Sequence, residues 1–83
     1  MSDIAYKLAV AEECGAVMKQ KLIEKEPRAS WREAPLPLAD VEAWLRGEVE
    51  ELLAAVPGQE MREAADVANM AAIYADMKRR GCR

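Results

Sequence analysis

The stretch GEVEELLAAVPGQEMREAADVANM, residues 47–70, decides the fold of this chain. Two runs with helical spacing of apolar residues flank Pro57 and Gly58, which together end one helix and reverse the chain. A connection this short places two helices side by side and antiparallel. The stretch therefore predicts a helical hairpin at the centre of an all-α fold.

Four acidic residues of this hairpin occupy positions where apolar side chains belong. Glu63 and Asp66 begin a stripe of positions spaced by three or four residues, which continues through Met70, Ile73 and Met77. On the preceding helix Glu48 falls within an equivalent stripe, and Glu51 is one helical neighbour away. The apolar members of that stripe are Val41, Trp44, Leu45, Leu52 and Ala55. Counted from the turn, the acid pairs lie at matching heights, so four carboxylates are predicted to converge.

The predicted carboxylate cluster has two interpretations. Without a partner it repels itself and loses solvation, and a bound divalent cation removes both costs. Ligands that are all oxygen, in a chain without His, suit Mg²⁺ or Mn²⁺. Alternatively the acids lie on solvated helix faces, where pairs at this spacing are common, because a small change in helix phase turns Glu48 or Glu51 outward.

Outward from the hairpin, the sequence predicts a single helical domain over residues 1–83. Its predicted segments are a helix over about 3–25, a connector over about 26–38, a helix over about 40–56 and a helix over about 59–80. Pro27, Pro35 and Pro37 exclude a continuous helix through the connector. Asp40 is the predicted N-cap of the second helix, and Gly81 is the predicted stop of the third. The fold class is a short all-α bundle.

The first predicted helix carries its own apolar stripe. Its members are Ile4, Leu8, Ala11, Gly15, Met18 and Leu22. We expect this stripe to pack against other helices. Gly15 costs about 1 kcal/mol of helix propensity relative to Ala, which is tolerable where another backbone approaches closely.

Length and composition favour a small domain that associates. The chain has 83 residues, near the lower size at which one core is stable by itself. Its hydrophobic fraction of 52% is rich in Ala and contains no Phe, so each helix buries little area. We therefore expect homo-oligomerisation, as a homodimer or a dimer of dimers, to complete the bundle.

Charge and hydropathy exclude several classes of protein. A net charge of −3 argues against a nucleic-acid-binding protein, and no apolar run approaches the length of a membrane span. The N-terminal MSDIAYKLAV lacks the basic-then-apolar order of a signal peptide, so we expect a cytoplasmic protein. Cys14 and Cys82 have no His to pair with and are interpreted as reduced thiols.

Several motifs give the chain a resemblance to a known family. They are Lys21-Leu22, Arg28, Trp31, the block EVEEL at 48–52 and the block EAADVAN at 63–69. In these motifs the sequence resembles the MazG-like all-α nucleoside triphosphate pyrophosphohydrolases, and in particular a small phage and archaeal branch. The similarity runs from about Met18 to Asp76.

The resemblance implies hydrolysis of a nucleoside triphosphate between its α and β phosphates, with release of a monophosphate and pyrophosphate. It implies Mg²⁺ as cofactor, with Mn²⁺ as a substitute, held by Glu48, Glu51, Glu63 and Asp66. The residues predicted to contact the substrate are Lys21, Lys25, Arg28, Trp31 and Asn69, and Arg32 is a further basic candidate. Trp31 has the alternative role of covering the core, and each basic residue the alternative of a solvated surface charge.

At one position the chain departs from the family pattern. Relatives commonly carry Glu immediately before the first metal-binding glutamate, where it can activate water, and this chain has Gly47. Glu50 follows three residues later and is the predicted catalytic replacement, with a solvated surface position as its alternative. Gly47 keeps a second interpretation open, a catalytically weakened relative that binds nucleotides or acts as a helical interaction module. A third interpretation is an oligomeric bundle with solvated acids.

Overall fold

A computed structural model describes residues 3–24 and 36–83 of the chain. They form three helices: α1, Asp3–Glu24; α2, Leu38–Leu53; and α3, Glu60–Arg79. No strand occurs within these ranges. The prediction of an all-α fold with three helices is therefore confirmed.

Helix α3 is the central helix. Both α1 and α2 pack against it, whereas no close approach of Cα atoms joins α1 to α2. The predicted hairpin is thus the α2–α3 pair, and α1 lies against another side of α3. Because each outer helix has α3 as its neighbour, side chains of α3 can meet partners from both.

Helix α2 begins two residues earlier than predicted. Pro37, not Asp40, occupies the N-cap position, and its carbonyl oxygen accepts hydrogen bonds from the backbone N–H groups of Asp40 at 2.9 Å and Val41 at 3.2 Å. The N-cap prediction for Asp40 was wrong, because Pro37 already has the extended ψ of 140° that an N-cap residue takes. Asp40 instead lies in the first turn, where its charge favours the positive end of the helix dipole.

The connection between α2 and α3 is a tight turn. Helix α2 ends at Leu53, three residues before the predicted end at Val56. Gln59 then donates its N–H to the Val56 carbonyl at 3.0 Å, and Gly58 has a φ of 92°. Pro followed by a residue with positive φ defines a type II turn, and Gly58 adopts that φ without a steric penalty. The predicted Pro-Gly reversal is confirmed.

Helix α3 ends at Arg79, and Gly81 follows it as the predicted stop. This glycine has a φ of 80° and donates to the Lys78 carbonyl at 3.1 Å, while Cys82 donates to the Met77 carbonyl at 3.0 Å. This pair of bonds is a Schellman motif, which satisfies two carbonyls that the helix itself leaves without donors.

The buried core of the described residues is small. Val41 of α2 packs with Met70 and Met77 of α3, and Ala65 is also fully buried. Partly buried residues complete the cluster: Leu38, Leu45, Ile73, Tyr74 and Cys82. The apolar stripes predicted for α2 and α3 therefore do form their shared interface.

The face of α1 that meets α3 differs from the predicted stripe. Ile4, Leu8 and Leu22 of that stripe are 59%, 57% and 47% exposed, whereas Lys21 is buried. Adjacent helix positions differ by about 100°, so α1 is rotated by roughly a quarter-turn from the predicted orientation. Polar contacts from Lys21 and from the Met18 carbonyl to α3 set this orientation instead.

The first half of α1 is exposed in the described chain. Every residue from 3 to 13 is exposed, and the apolar side chains Ile4, Tyr6, Leu8 and Val10 are among them. A helical segment of this length is marginal in water without tertiary contacts. None of the three helices combines the length and the apolar character that a membrane crossing requires.

Candidate metal centre

Three carboxylates from two helices converge at the α2–α3 interface. Glu48 of α2 and Glu63 and Asp66 of α3 each place one oxygen within 4.8 Å of the others. All three residues are half-buried. Glu48 shares the face of α2 that carries Val41, and Glu63 and Asp66 share the face of α3 that carries Met70, so the same packing that builds the core brings the acids together. We call Glu48, Glu63 and Asp66 the acidic cluster.

Two oxygens of the acidic cluster are buried without a hydrogen-bond donor. Oε2 of Glu48 and Oε2 of Glu63 have lost all contact with solvent, and neither has a donor in the described part of the chain. Buried polar atoms are nearly always hydrogen-bonded, since an unsatisfied one costs about 1–3 kcal/mol. A cation in the cluster would supply the missing partner for both oxygens.

The other oxygen of Glu48 is held by a tryptophan. Nε1 of Trp44 donates to Oε1 of Glu48 at 2.9 Å, one helical turn away on α2. This bond fixes the Glu48 carboxylate in one orientation. The sequence analysis placed Trp44 on an apolar stripe and missed this role, although a Trp four residues before a Glu is a spacing that brings the two side chains together.

Glu51, the fourth predicted ligand, lies at the edge of the acidic cluster. It is exposed and is not one of the three convergent residues. A hydrogen bond with Glu48 raises the pKa of Glu51 above 4.5, and the negative charges of Glu48, Glu63 and Asp66 raise it further. Three carboxylates converge in the described residues, and not the predicted four. The reason is that position 48 lies closer to the buried face of α2 than position 51 does.

Lys21 connects α1 to the acidic cluster. Its Nζ donates to Oδ2 of Asp66 at 2.5 Å and to the Arg62 carbonyl at 3.5 Å. The Lys21 and Asp66 side chains retain only 9% and 13% of their exposure, so water screens this ion pair little. Lys21 was predicted from the sequence to contact the substrate. Here its ammonium group is directed to Asp66 within the helix interface.

Asn69 also joins α3 to α1. Its Nδ2 donates to the Met18 carbonyl at 3.1 Å, and the residue is buried. Nearby, Arg62 and Glu24 form an outer ion pair at 3.7 Å between partly exposed side chains. Asn69 was predicted to orient a ligand. In the structure it aligns α1 with α3 one turn beyond Asp66, which keeps Lys21 in register with that carboxylate.

Of the remaining predicted site residues, Glu50 lies in the described part of the chain. Glu50 is exposed, about 160° around α2 from Glu48, and does not belong to the convergent group. Lys25, Arg28, Trp31 and Arg32 lie outside the described residues. Their predicted roles in substrate binding stay predictions, as does the catalytic role of Glu50.

Gly47 leaves open space beside Glu48. A Cβ atom built at this position would meet nothing within 4 Å, so no close approach within the described chain explains the glycine. The site therefore has room for a side chain at the position where MazG-like sequences commonly carry Glu.

The donor set fits a hard divalent cation. Three carboxylates provide oxygen ligands only, and two of their oxygens are buried without a donor. Mg²⁺ is commonly held by a few carboxylates while water and phosphate oxygens fill its other positions. Glu48, Glu63 and Asp66 could hold such an ion, and Glu51 is the neighbouring carboxylate on the exposed side.

Comparisons of the chain with protein-family models, with curated proteins and with solved structures found no match in any of the three. The described residues thus present a three-helix arrangement with a candidate cation site between α2 and α3.

Proposed function

We propose that this protein is a metal-dependent nucleoside triphosphate pyrophosphohydrolase. The observation that supports the proposal is the acidic cluster, in which Oε2 of Glu48 and Oε2 of Glu63 are buried without a donor. These residues and Asp66 belong to the ExxE and ExxD motifs that resemble the metal-binding motifs of the MazG-like family. Retaining unsatisfied carboxylates costs stability, and a functional cation is a physical reason to retain them.

In this proposal Glu48, Glu63 and Asp66 would hold Mg²⁺ or Mn²⁺. The chemistry supplied by such an ion would be polarisation of a phosphoryl oxygen and a lower pKa for an attacking water. Trp44 fixes the orientation of Glu48, and Lys21 fixes that of Asp66. Glu51 stands on the exposed side of the cluster, where a triphosphate chain would approach.

The substrate contacts of the proposal come from the resemblance. Lys25, Arg28 and Trp31 are proposed to bind the phosphates and base of the nucleotide. Lys21 and Asn69 are given positioning roles because their polar groups already have partners on the neighbouring helix.

A second copy of the chain is part of the proposal. In the described residues four apolar side chains are buried, while eleven large hydrophobic side chains are exposed. Among them, Ile4 and Leu8 lie on the exposed first half of α1. A homodimer that covers this stripe would bury apolar surface and stabilise that part of the helix.

One alternative has an observation in its favour. Position 47 has no carboxylate, and Glu50 points away from the acidic cluster, so the described chain provides no evident base to activate water. A relative with weakened catalysis that binds nucleotides or acts as a helical interaction module would retain the cation site and lose turnover.

The test is pyrophosphate release from a panel of canonical and modified NTPs and dNTPs, each with Mg²⁺, Mn²⁺ or EDTA. The proposal expects metal-dependent release from one or a few nucleotides. Glu63→Gln should abolish it, whereas the matched variant Glu13→Gln removes an exposed carboxylate of α1 and should leave it unchanged.

Two other outcomes would contradict the enzyme proposal. Release that persists in EDTA would mean that the cation is not required. Metal binding without turnover on any nucleotide would favour the binding module, and recovery of turnover in Gly47→Glu would then identify the missing base as the cause.

A further inference from the structure

Lys21 is the buried cation of this protein's described residues. The residue is 8% exposed, and lysine is almost never buried unless its ammonium group is paired. Its partner is Asp66, and it reaches across the α1–α3 interface to make that contact. A buried ion pair is a weak source of stability, because desolvation offsets most of the attraction, so the position of this pair calls for a specific reason.

The acidic cluster supplies that reason. Three half-buried carboxylates whose oxygens lie within 4.8 Å of one another repel one another. Lys21 places one positive charge directly on the Asp66 member. The local charge of the three acids and Lys21 together is −2 when all are ionised, which a divalent cation would neutralise.

We propose that Lys21 is the internal counter-cation of the acidic cluster: it stabilises the fold when no metal ion is bound, and its charge lowers the cluster's affinity for divalent cations. The inference rests on the proposed cation site. It makes Lys21 a positioning residue that acts through Asp66.

The proposal makes cation binding and α1 packing interdependent. The Lys21 ammonium and a divalent ion are two positive charges acting on the same carboxylates, so each weakens the other's attraction to the cluster. Removing the Lys21 charge should make the fold depend on the ion. By linkage, a cation that binds only the folded state then restores the stability that the substitution removed.

The experiment measures thermal unfolding and Mn²⁺ affinity of the full chain with Lys21→Met, which keeps most of the side-chain volume without the charge. In EDTA we expect a clear fall in melting temperature relative to the wild type. In saturating Mn²⁺ most of that fall should disappear, and the Mn²⁺ Kd, measured from the paramagnetic resonance of free Mn²⁺, should tighten about tenfold.

Lys19→Met is the matched control. Lys19 is an exposed residue on the same helix, so this variant changes the net charge equally without changing the cluster. It should keep the melting temperature and Mn²⁺ Kd of the wild type. If Lys21→Met stays unfolded in EDTA but folds in Mn²⁺, the proposal is supported, and if it folds in neither, Lys21→Gln decides by the same two measurements.

The outcomes separate this inference from the proposed function. If the wild type binds Mn²⁺ but the neutral variants at position 21 bind it no more tightly, Lys21 is not a counter-cation, and the site itself stands. If these variants lose the same melting temperature in EDTA and in Mn²⁺, Lys21 contributes to packing and is not a counter-cation. If the wild type neither binds Mn²⁺ nor gains melting temperature from it, the cation site fails and this inference fails with it.

Discussion

Two individual carboxylates are energetically costly in this molecule. Glu48 and Glu63 each bury an oxygen that has no donor in the described residues, although a polar or apolar side chain of similar size would avoid that cost. Both acids stand on faces that also hold core methionine and valine side chains. The energetic cost is therefore built into the same interface that stabilises the hairpin.

Replacing Glu63 with Gln should separate stability from function. In EDTA, Glu63→Gln removes one negative charge from the acidic cluster and adds a donor, so we expect the free energy of unfolding to rise by about 1 kcal/mol. The stabilisation by Mn²⁺ should disappear in the same variant. Denaturant unfolding with and without Mn²⁺ measures both, with Glu13→Gln as control. A loss of helicity in Glu63→Gln would instead indicate a structural role for that carboxylate.

The raised pKa of Glu51 predicts a pH dependence of metal-free stability. Hydrogen bonding with Glu48 is the largest cause of the shift, followed by the charge of Glu48. Above 4.5 and up to the raised pKa, the folded state binds more protons than the unfolded chain, so stability falls as the pH rises through that window. In EDTA the melting temperature should therefore increase on mild acidification, and Glu51→Gln should remove that increase.

Asp76 provides the control for this pH profile. Arg79 and Arg80 lower its pKa below 3.8, chiefly through the hydrogen bond from Arg79. Its contribution to stability is present above 3.8 and is lost as the pH falls through the lowered value. Asp76→Asn should thus alter the dependence of stability on pH only below 3.8. A profile that Glu51→Gln leaves unchanged above 4.5 would show that Glu51 does not interact with the cluster.

Among the secondary-structure elements, two glycines lie at helix ends or turns and two lie inside helices. Gly58 and Gly81 have φ values of 92° and 80°, which side chains other than glycine rarely adopt. Each therefore ends or reverses a helix. Gly15 and Gly47 lie inside α1 and α2 and have open space around them, so no contact in the described chain requires them.

Gly47→Ala should stabilise α2. Alanine is favoured over glycine inside a helix by about 1 kcal/mol, which raises the melting temperature of a domain of this size by roughly 4–8 °C. Gly58→Ala should lower it, because the type II turn requires a positive φ. Thermal unfolding of the two variants checks the opposite signs. Destabilisation by Gly47→Ala would point to the close approach of a second chain at that position.

For the molecule as a whole, the proposed association rests on the exposed first half of α1. Residues 3–13 are all exposed, and Ile4 and Leu8 form an apolar edge there. The contacts of Lys21 and of the Met18 carbonyl with α3 orient α1 so that this edge faces away from α3. Association would cover it without changing the acidic cluster.

Leu8→Glu should therefore shift the protein towards the monomer. A charge on the apolar edge opposes its burial against a second copy, and Ala9→Glu adds the same charge about 100° around the helix. Sedimentation should show a dimer, or a multiple of it, for the wild type and Ala9→Glu and a smaller species for Leu8→Glu. A wild type that sediments as a monomer at all concentrations would exclude the proposed assembly.

The three helices, the hairpin and three of the four acids at its interface could be predicted from the sequence. Local signals were sufficient for these, because the Pro-Gly turn, the Gly81 stop and the spacing of Met70 and Met77 act over a few residues. The three-residue error at the end of α2 and the wrong N-cap at Asp40 are likewise local, where competing end signals lie close together.

The orientation of α1 and the identity of the convergent acids follow from packing between helices, which the sequence did not predict. The sequence favoured Leu22 for the interface by hydrophobicity, but Lys21 occupies it because Asp66 and the Arg62 carbonyl are there to receive its ammonium group. Likewise Glu48, and not Glu51, completes the cluster because helix packing selects between neighbours about 60° apart on one face. Such choices depend on partners far away in the chain, and helical periodicity carries no information about them.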